Sequence, residues 1–450
     1  MFPGNVIGSL CAVLLLAPLA HGAEPAQDER LAAYKEFRAA FDIADYARAL
    51  PLAVQVDQMT RSQFGADSLE TVNPRTNLAT TYHRMGRQGE ALDVYREVLA
   101  LLDQQEDATN PLLIRPLHGI GATLRALDRD AEAIAPLKRA VDITRNREGL
   151  RSPSQLPLLK ELIGCYMATG RVQDAGTEQL YAFSVAETTY GRDDIRMLGP
   201  IDDYARWNES AGRYSAARAL HLRAVQLADS LLGNTTIQAV NGLRGIARSY
   251  RLAFVYGETE EASAADTTGL LVAGGPPALI APTQSAEGER ALRVAVQRLA
   301  AAIPSQPQRL GDVQTDLGDW YMTAGMTSRA IPVYREAWKS LAQAGTEKTL
   351  ETPAQLTYRP PAVAVARGIQ DPDLNDVQEV ELRLTVDASG NVREALAMNS
   401  VPERESAERA VAAAVKHATF RPAMASGEPV VTTDQVFRER VYVKRPKPRN

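Results

Sequence analysis

Leu78-Ala79-Thr80-Thr81-Tyr82-His83-Arg84-Met85-Gly86-Arg87-Gln88-Gly89-Glu90-Ala91-Leu92-Asp93-Val94-Tyr95 reads as one helix, a turn and a second helix. Leu78, Ala79 and Tyr82 share a stripe at helical spacing, and Met85-Gly86-Arg87-Gln88-Gly89 supplies the turn. Ala91 is small where the second helix must approach the first closely. Tyr95, four positions later, lies one turn on along the same face.

The same offsets recur as Ile120-Gly121, Leu124, Ala133 and Leu137, then as Leu162-Ile163, Tyr166, Gly170 and Ala175. They recur again as Tyr204-Ala205, Gly212, Ala217 and His221, each step being 42 residues. A further step reaches Ile246-Ala247 and Tyr250. The clearest copy, Leu317-Gly318, Tyr321, Gly325, Ala330, Tyr334 and Ala337, follows 71 residues on, a period of 42 plus an insertion of 29. That insertion, about 258–285, is rich in glycine and proline and reads as a loop. A weaker first copy surrounds Phe37, Ala49 and Ala53. One helix pair cannot bury its own stripe, whereas stacked pairs form a continuous core.

These residues resemble the tetratricopeptide repeat, in the 42-residue variety found in kinesin light chains. Asn208, where an aromatic is expected, and Gln179, where an apolar residue is expected, depart from it. The resemblance implies a mostly α solenoid over residues 24–352 whose first helices line a binding face. On those helices Asn241, Arg244, Arg248 and Arg251 fall on one side, as do Arg115, His118 and Arg125. A basic groove for an acidic peptide or a C-terminal carboxylate is one reading. An ordinary solvated face is the other, since arginine outnumbers lysine 42 to 8 throughout the chain.

Met1 to Ala23 carries no Asp, Glu, Lys or Arg, and its apolar run from Val6 to Ala20 meets small residues at Gly22 and Ala23. Fifteen apolar residues are short for a membrane span, which needs roughly 20. Residues 1–23 are expected to be a cleaved secretory signal, which places the protein in the periplasm. An uncleaved inner-membrane anchor is the alternative.

Near Thr352 the helical rhythm stops, and Pro360-Pro361 forbids its continuation. Val380, Leu382, Leu384 and Val386 then alternate with Glu381, Arg383 and Thr385, as in a half-buried strand. Asp387-Ala388-Ser389-Gly390 is a hairpin turn and Val392 opens a return strand. Residues 403–418 read as an amphipathic helix and 435–443 as a last strand, giving a β-β-α-β order. Tyr358 with Pro360, Val386-Asp387 with Gly390 and Val392, Phe420-Arg421-Pro422-Ala423, and Gly427 with Pro429-Val430 resemble the TonB C-terminal domain. The resemblance implies a small α+β domain over residues 353–450 that takes up a strand of an outer-membrane protein by β-augmentation. The strand carried over is Gln435, Val436, Phe437, Arg438, Glu439, Arg440, Val441, Tyr442 and Val443. A Pro-rich spacer and the anchor's Ser-x-x-x-His pattern are missing, so coupling to an energy source is the secondary reading.

Of 450 residues, 50 are Lys or Arg and 55 Asp or Glu, a net charge of −5 that argues against a nucleic-acid binder. Two cysteines give no disulfide framework, and the five histidines form no His-Glu-x-x-His or Cys/His cluster. No Gly-x-Ser-x-Gly elbow is present. The expectation is a non-enzymatic adaptor without cofactor or metal. Its partners would be proteins or peptides of the cell envelope, with membrane contact only if the N-terminal segment is retained.

Overall fold

The computed structural model describes residues 23–105, 107–257, 282–361, 375–399 and 405–444. The expected signal and most of the expected insertion lie outside them. Helices α1 (Ala23–Asp42), α2 (Tyr46–Phe64), α3 (Val72–Arg84), α4 (Gln88–Asp103), α5 (Ile114–Arg125), α6 (Asp130–Glu148) and α7 (Leu156–Ala168) come first. Then follow α8 (Val172–Tyr190), α9 (Leu198–Ser210), α10 (Tyr214–Leu231), α11 (Ile237–Tyr256), α12 (Pro282–Ala300), α13 (Pro307–Thr323) and α14 (Thr327–Ala344). The chain forms two compact units that divide inside α7, between Cys165 and Tyr166. The fold is a mostly α solenoid of helix pairs followed by a small strand-containing region.

In the first unit the small residues sit where the pairs cross. Ala91, Ala133 and Leu137 are fully buried, and Tyr95 is 2% exposed. Gly121 has no room for a side chain: a Cβ there would lie 2.4 Å from Leu137 Cγ. The turn between paired helices needs a positive φ, which Gly86 supplies at +77° and Asp128 at +57°. The weak first copy is a true pair, with Phe37, Ala40, Ala49 and Ala53 joined in one core.

The second unit repeats this logic through Ala175, Ala217 and Ala330, all fully buried. Both departures from the pattern are accommodated. Asn208 is buried and donates from Nδ2 to the Tyr204 carbonyl at 2.8 Å, and Gln179 is 5% exposed. Successive second helices are tied on their far side by Arg223 to Glu187 at 2.6 Å and by Arg298 to Asp229 at 2.7 Å. Helix α12 begins at Pro282, inside the expected loop, because proline is favoured at a first helical position.

The strand region of the second unit comprises β1 (Ala354–Thr357), β2 (Asn375–Val386), β3 (Val392–Met398), α15 (Glu405–Lys416), β4 (Thr419–Arg421), β5 (Ala423–Ala425), β6 (Glu428–Val430) and β7 (Thr432–Lys444). An antiparallel sheet runs in the order β3-β2-β7. Its inner face packs Val380, Leu382, Leu384 and Val386 against Ala407, Val411 and Val415 of α15. The two-stranded pairs β1–β4 and β5–β6 are additions to the expected β-β-α-β order. Their three or four residues, interrupted by Pro422 and Pro429, are too short to show a period.

This region shares a core with the last helix pair. Met424 joins Tyr334, Leu341 and Leu350, and Gly427 turns the chain at φ +82° beside the Trp338 indole. Arg335 grips Glu428 at 2.7 Å. Arg421 reaches Asp319 on α13 at 3.4 Å, and Tyr334 donates its hydroxyl to the same carboxylate at 2.8 Å.

Candidate functional site

In the first unit, Arg115 on α5 is exposed and donates to Asn73 Oδ1 at 3.2 Å and Asn77 Oδ1 at 2.8 Å, both on α3. Both acceptors are neutral amides, so the guanidinium is oriented while its charge is left uncompensated by any carboxylate among the described residues. His118 is half-buried. Burial pushes its pKa down, Arg84 and His83 add to that, and Glu161 opposes them. The shift favours the neutral imidazole. Arg125 turns away to Asp130, at 3.1 Å, and to Glu161.

In the second unit, Asn241 is exposed near the start of α11, and the three arginines beyond it all meet carboxylates on neighbouring helices. Arg244 meets Asp316, Arg248 meets Glu209 at 2.8 Å, and Arg251 lies 3.8 Å from Asp319. The three arginines and Asp316, with Leu292 and Trp320, line a cavity of about 80 Å³. Glu209 is the most heavily engaged of these acids. It accepts Ser249 Oγ at 2.7 Å and Arg248 Nε at 2.8 Å, and His221 Nε2 stands 3.1 Å away. An ionised carboxylate only accepts, so Nε2 carries the proton. Burial alone would raise the Glu209 pKa, but His221, Arg248 and Ser249 hold it below the ordinary glutamate value.

The arginine spacing on the first helices was legible in the sequence, but the acids that neutralise them were not. Glu161, Glu209 and Asp316 lie 36, 39 and 72 residues from Arg125, Arg248 and Arg244. Two of those separations fall just under one period, a signal that a search for acids near 42 residues from each arginine would have found. A larger cavity, about 590 Å³, opens between the ends of α11 and α15 and includes Phe254, Val255, Tyr358 and His417. Among the described residues no His, Cys, Asp and Glu group is placed to share a metal ion.

Among the described residues the final strand pairs with one other strand. Residues 435–443 pair with β2 from Gln435 opposite Leu384 to Val443 opposite Asp376, and β7 is an edge of its sheet among the described residues. Val436, Arg438 and Arg440 face solvent, while Gln435, Phe437 and Glu439 are partly buried and Val441 is fully buried. Tyr442 follows in register opposite Val377. Tyr358 packs edge-on against Phe437 at 5.1 Å. Burial, and then Glu439, push its hydroxyl pKa far above the usual tyrosine value.

Helix pairs at this period with these glycines and alanines define a repeat scaffold, and residues 38–104 match the tetratricopeptide repeat family model. The chain carries tetratricopeptide repeats, which are typical of protein-binding scaffolds and not of catalytic domains. Among solved structures it is similar to a kinesin-light-chain protein from Podosopora anserina, at 22% identity and a TM-score of 0.38, covering 43% of this chain and 90% of that one. It is also similar to BtubC from P. vanneervenii, at 14% identity and a TM-score of 0.35, covering 70% of this chain and 92% of that one. A signal-transduction ATPase with a tetratricopeptide repeat sensor from Pyrococcus horikoshii gives a TM-score of 0.50 at 12% identity, over 72% of this chain and 44% of that one. A search of curated proteins finds no match.

Proposed function

We propose that this protein is a periplasmic adaptor that binds one protein or peptide on its repeat helices and an envelope protein on its final strand. In this reading residues 1–23 direct export and are removed, residues 24–352 form the repeat array, and residues 353–450 act as a TonB-like strand-binding domain. The observation that carries it is the open edge of β7, in a compact unit that also contains repeat helices. Edge strands present a row of free backbone donors and acceptors that an extended segment can complete. On the helices, the support is Arg115, an exposed cation held in place by two neutral amides.

Photo-crosslinking residues at Val436 and at Arg115, with a control position on the outer face of α4, test both surfaces in the producing cell. Specific adducts from the first two positions and none from the control are expected. Equal labelling from all three removes the adaptor reading. The mass of the mature N-terminus tests export: a chain starting near Ala23 or Glu24 is expected, and an intact Met1 in the membrane fraction overturns it.

A further inference from the structure

The solvent side of β7 is already read by one strand. On β2, Glu379 stands directly opposite Arg440 and Glu381 directly opposite Arg438, with Arg383 opposite Val436. Arg438 Nε meets Glu381 at 2.7 Å and lies 4.0 Å from Glu379, so one arginine draws on both acids. Arg440, exposed, has no carboxylate partner among the described residues. The inward side carries Glu439 opposite the buried Val380, a charged residue turned into the apolar face of an edge strand. Inward charges and outward arginines are devices that keep edges from pairing indiscriminately. A strand that does add here must answer each of them, because side chains directly opposite across an antiparallel pair lie within contact.

We infer that the segment captured by β7 is an acidic one. It carries carboxylates at alternate positions facing Arg440 and Arg438, a hydrogen-bond donor between them facing Glu439, and apolar residues facing Phe437 and Val436. This rests on the edge-strand reading above and adds the chemistry of the partner. The two acids and the apolar residue facing Phe437 repeat on the free edge what β2 supplies on the paired edge, where Glu379, Glu381 and Leu382 occupy the corresponding positions. Two positions differ: the donor stands where β2 has Val380, because Glu439 faces an incoming side chain as well as Val380, and the residue facing Val436 is apolar where β2 has Arg383.

The test uses the full chain and fluorescein-labelled β-forming peptides of about eight residues. One carries Glu-Thr-Glu followed by two valines, one carries Lys-Thr-Lys in the same frame, and one is the acidic peptide with proline replacing the threonine. Two exposed charge pairs at up to about fivefold each make the acidic peptide about tenfold tighter than the lysine peptide at low salt, a margin that shrinks as salt rises. Arg440→Ala should reduce the preference several-fold with an unchanged thermal melt, and Arg440→Glu should reverse it while lowering the melt, because the new carboxylate stands opposite Glu379. The proline peptide should not bind, since it lacks a backbone donor. If the acidic and lysine peptides bind equally while the proline peptide does not, the edge captures strands but the charge inference is wrong. Binding of no peptide at all overturns the edge-strand reading itself.

Discussion

Replacing Arg421 by methionine tests the junction between the last repeat and the strand region. Asp319 sits on α13 with its side chain 10% exposed, and the Arg421 side chain is 15% exposed. Burial pushes the Asp319 pKa up, and Arg421, then Arg251 and the Tyr334 hydroxyl, pull it back. At the 3.4 Å separation, an effective dielectric of about 20 gives an attraction of ~5 kcal/mol. Removing one partner of a buried pair typically costs ~3–5 kcal/mol, and Arg251 and Tyr334 remain to soften the loss. The expected destabilisation at pH 7 is about 3 kcal/mol. Its pH dependence has a definite sign. A carboxyl whose folded pKa lies above its unfolded value favours the protonated fold, so stability falls as pH rises through the folded pKa. Without Arg421 that pKa climbs further, so the variant should lose more at neutral pH than at an acid pH where the carboxyl is protonated. Urea unfolding followed by tryptophan fluorescence reads this directly, because Trp207, Trp320 and Trp338 all belong to the second unit. Adding Asp319→Asn to Arg421→Met should restore part of the stability by removing the unpaired charge. A loss under about 1 kcal/mol at pH 7, or one that stays equal down to acid pH, refutes the electrostatic account and leaves only packing.

Gly121→Val should destabilise the first unit by about 1–3 kcal/mol, because the new side chain would overlap Leu137; a thermal melt followed by circular dichroism reads the loss. Glu209→Gln should cost about 1–2 kcal/mol at pH 7, since it removes a buried acceptor of Ser249 and Arg248, although the 40% exposed Arg248 can turn to water. The wild-type Glu209 pKa is depressed, so its contribution is present above the unfolded value and is lost as pH falls through the folded one. Urea profiles of the two proteins should therefore converge toward acid pH, and parallel profiles would contradict this. Burial pushes the Cys165 thiol up to about 12, so iodoacetamide at pH 8 should leave it unlabelled in the native chain and label it in urea, as read by peptide mass mapping.

The repeat was legible because its constraints fall on single positions of fixed type. A crossing that admits only alanine or glycine, as at Ala91, Ala133, Ala175 and Ala217, writes the same letter every 42 residues. Further letters of that kind were present and unread. Asn110, Ser152, Asp194 and Thr236 stand one period apart, and each accepts a backbone N–H at the start of a helix. Arg87, Arg129, Arg171 and Arg213 are spaced likewise at the starts of second helices, three of them stacked on an aromatic ring of the preceding helix. These are local interactions within one helix pair, so their spacing survives in the chain.

The charged faces obey a different rule. Whether an arginine offers charge to a partner depends on what stands across the next helix, and that partner can sit anywhere within reach of two long side chains. Arg115 and Arg248 look alike in sequence, each on the polar side of a first helix. Arg115 meets two asparagines, and Arg248 meets a carboxylate also engaged by a serine and beside a histidine. The first retains a field that a ligand can feel, and the second is neutralised by Glu209, so reversing its charge would disturb the fold before it disturbed binding. The strand edge lies between these cases. Period-2 alternation fixed which residues of β7 face outward, but only the register with β2 puts Glu379 and Glu381 opposite Arg440 and Arg438. Under the proposed edge capture, partner preference depends on the pairing with β2 as well as on the strand's own Arg438 and Arg440. Exchanging Glu379 and Glu381 for lysine should therefore alter which peptides β7 accepts, although neither residue lies on its free edge.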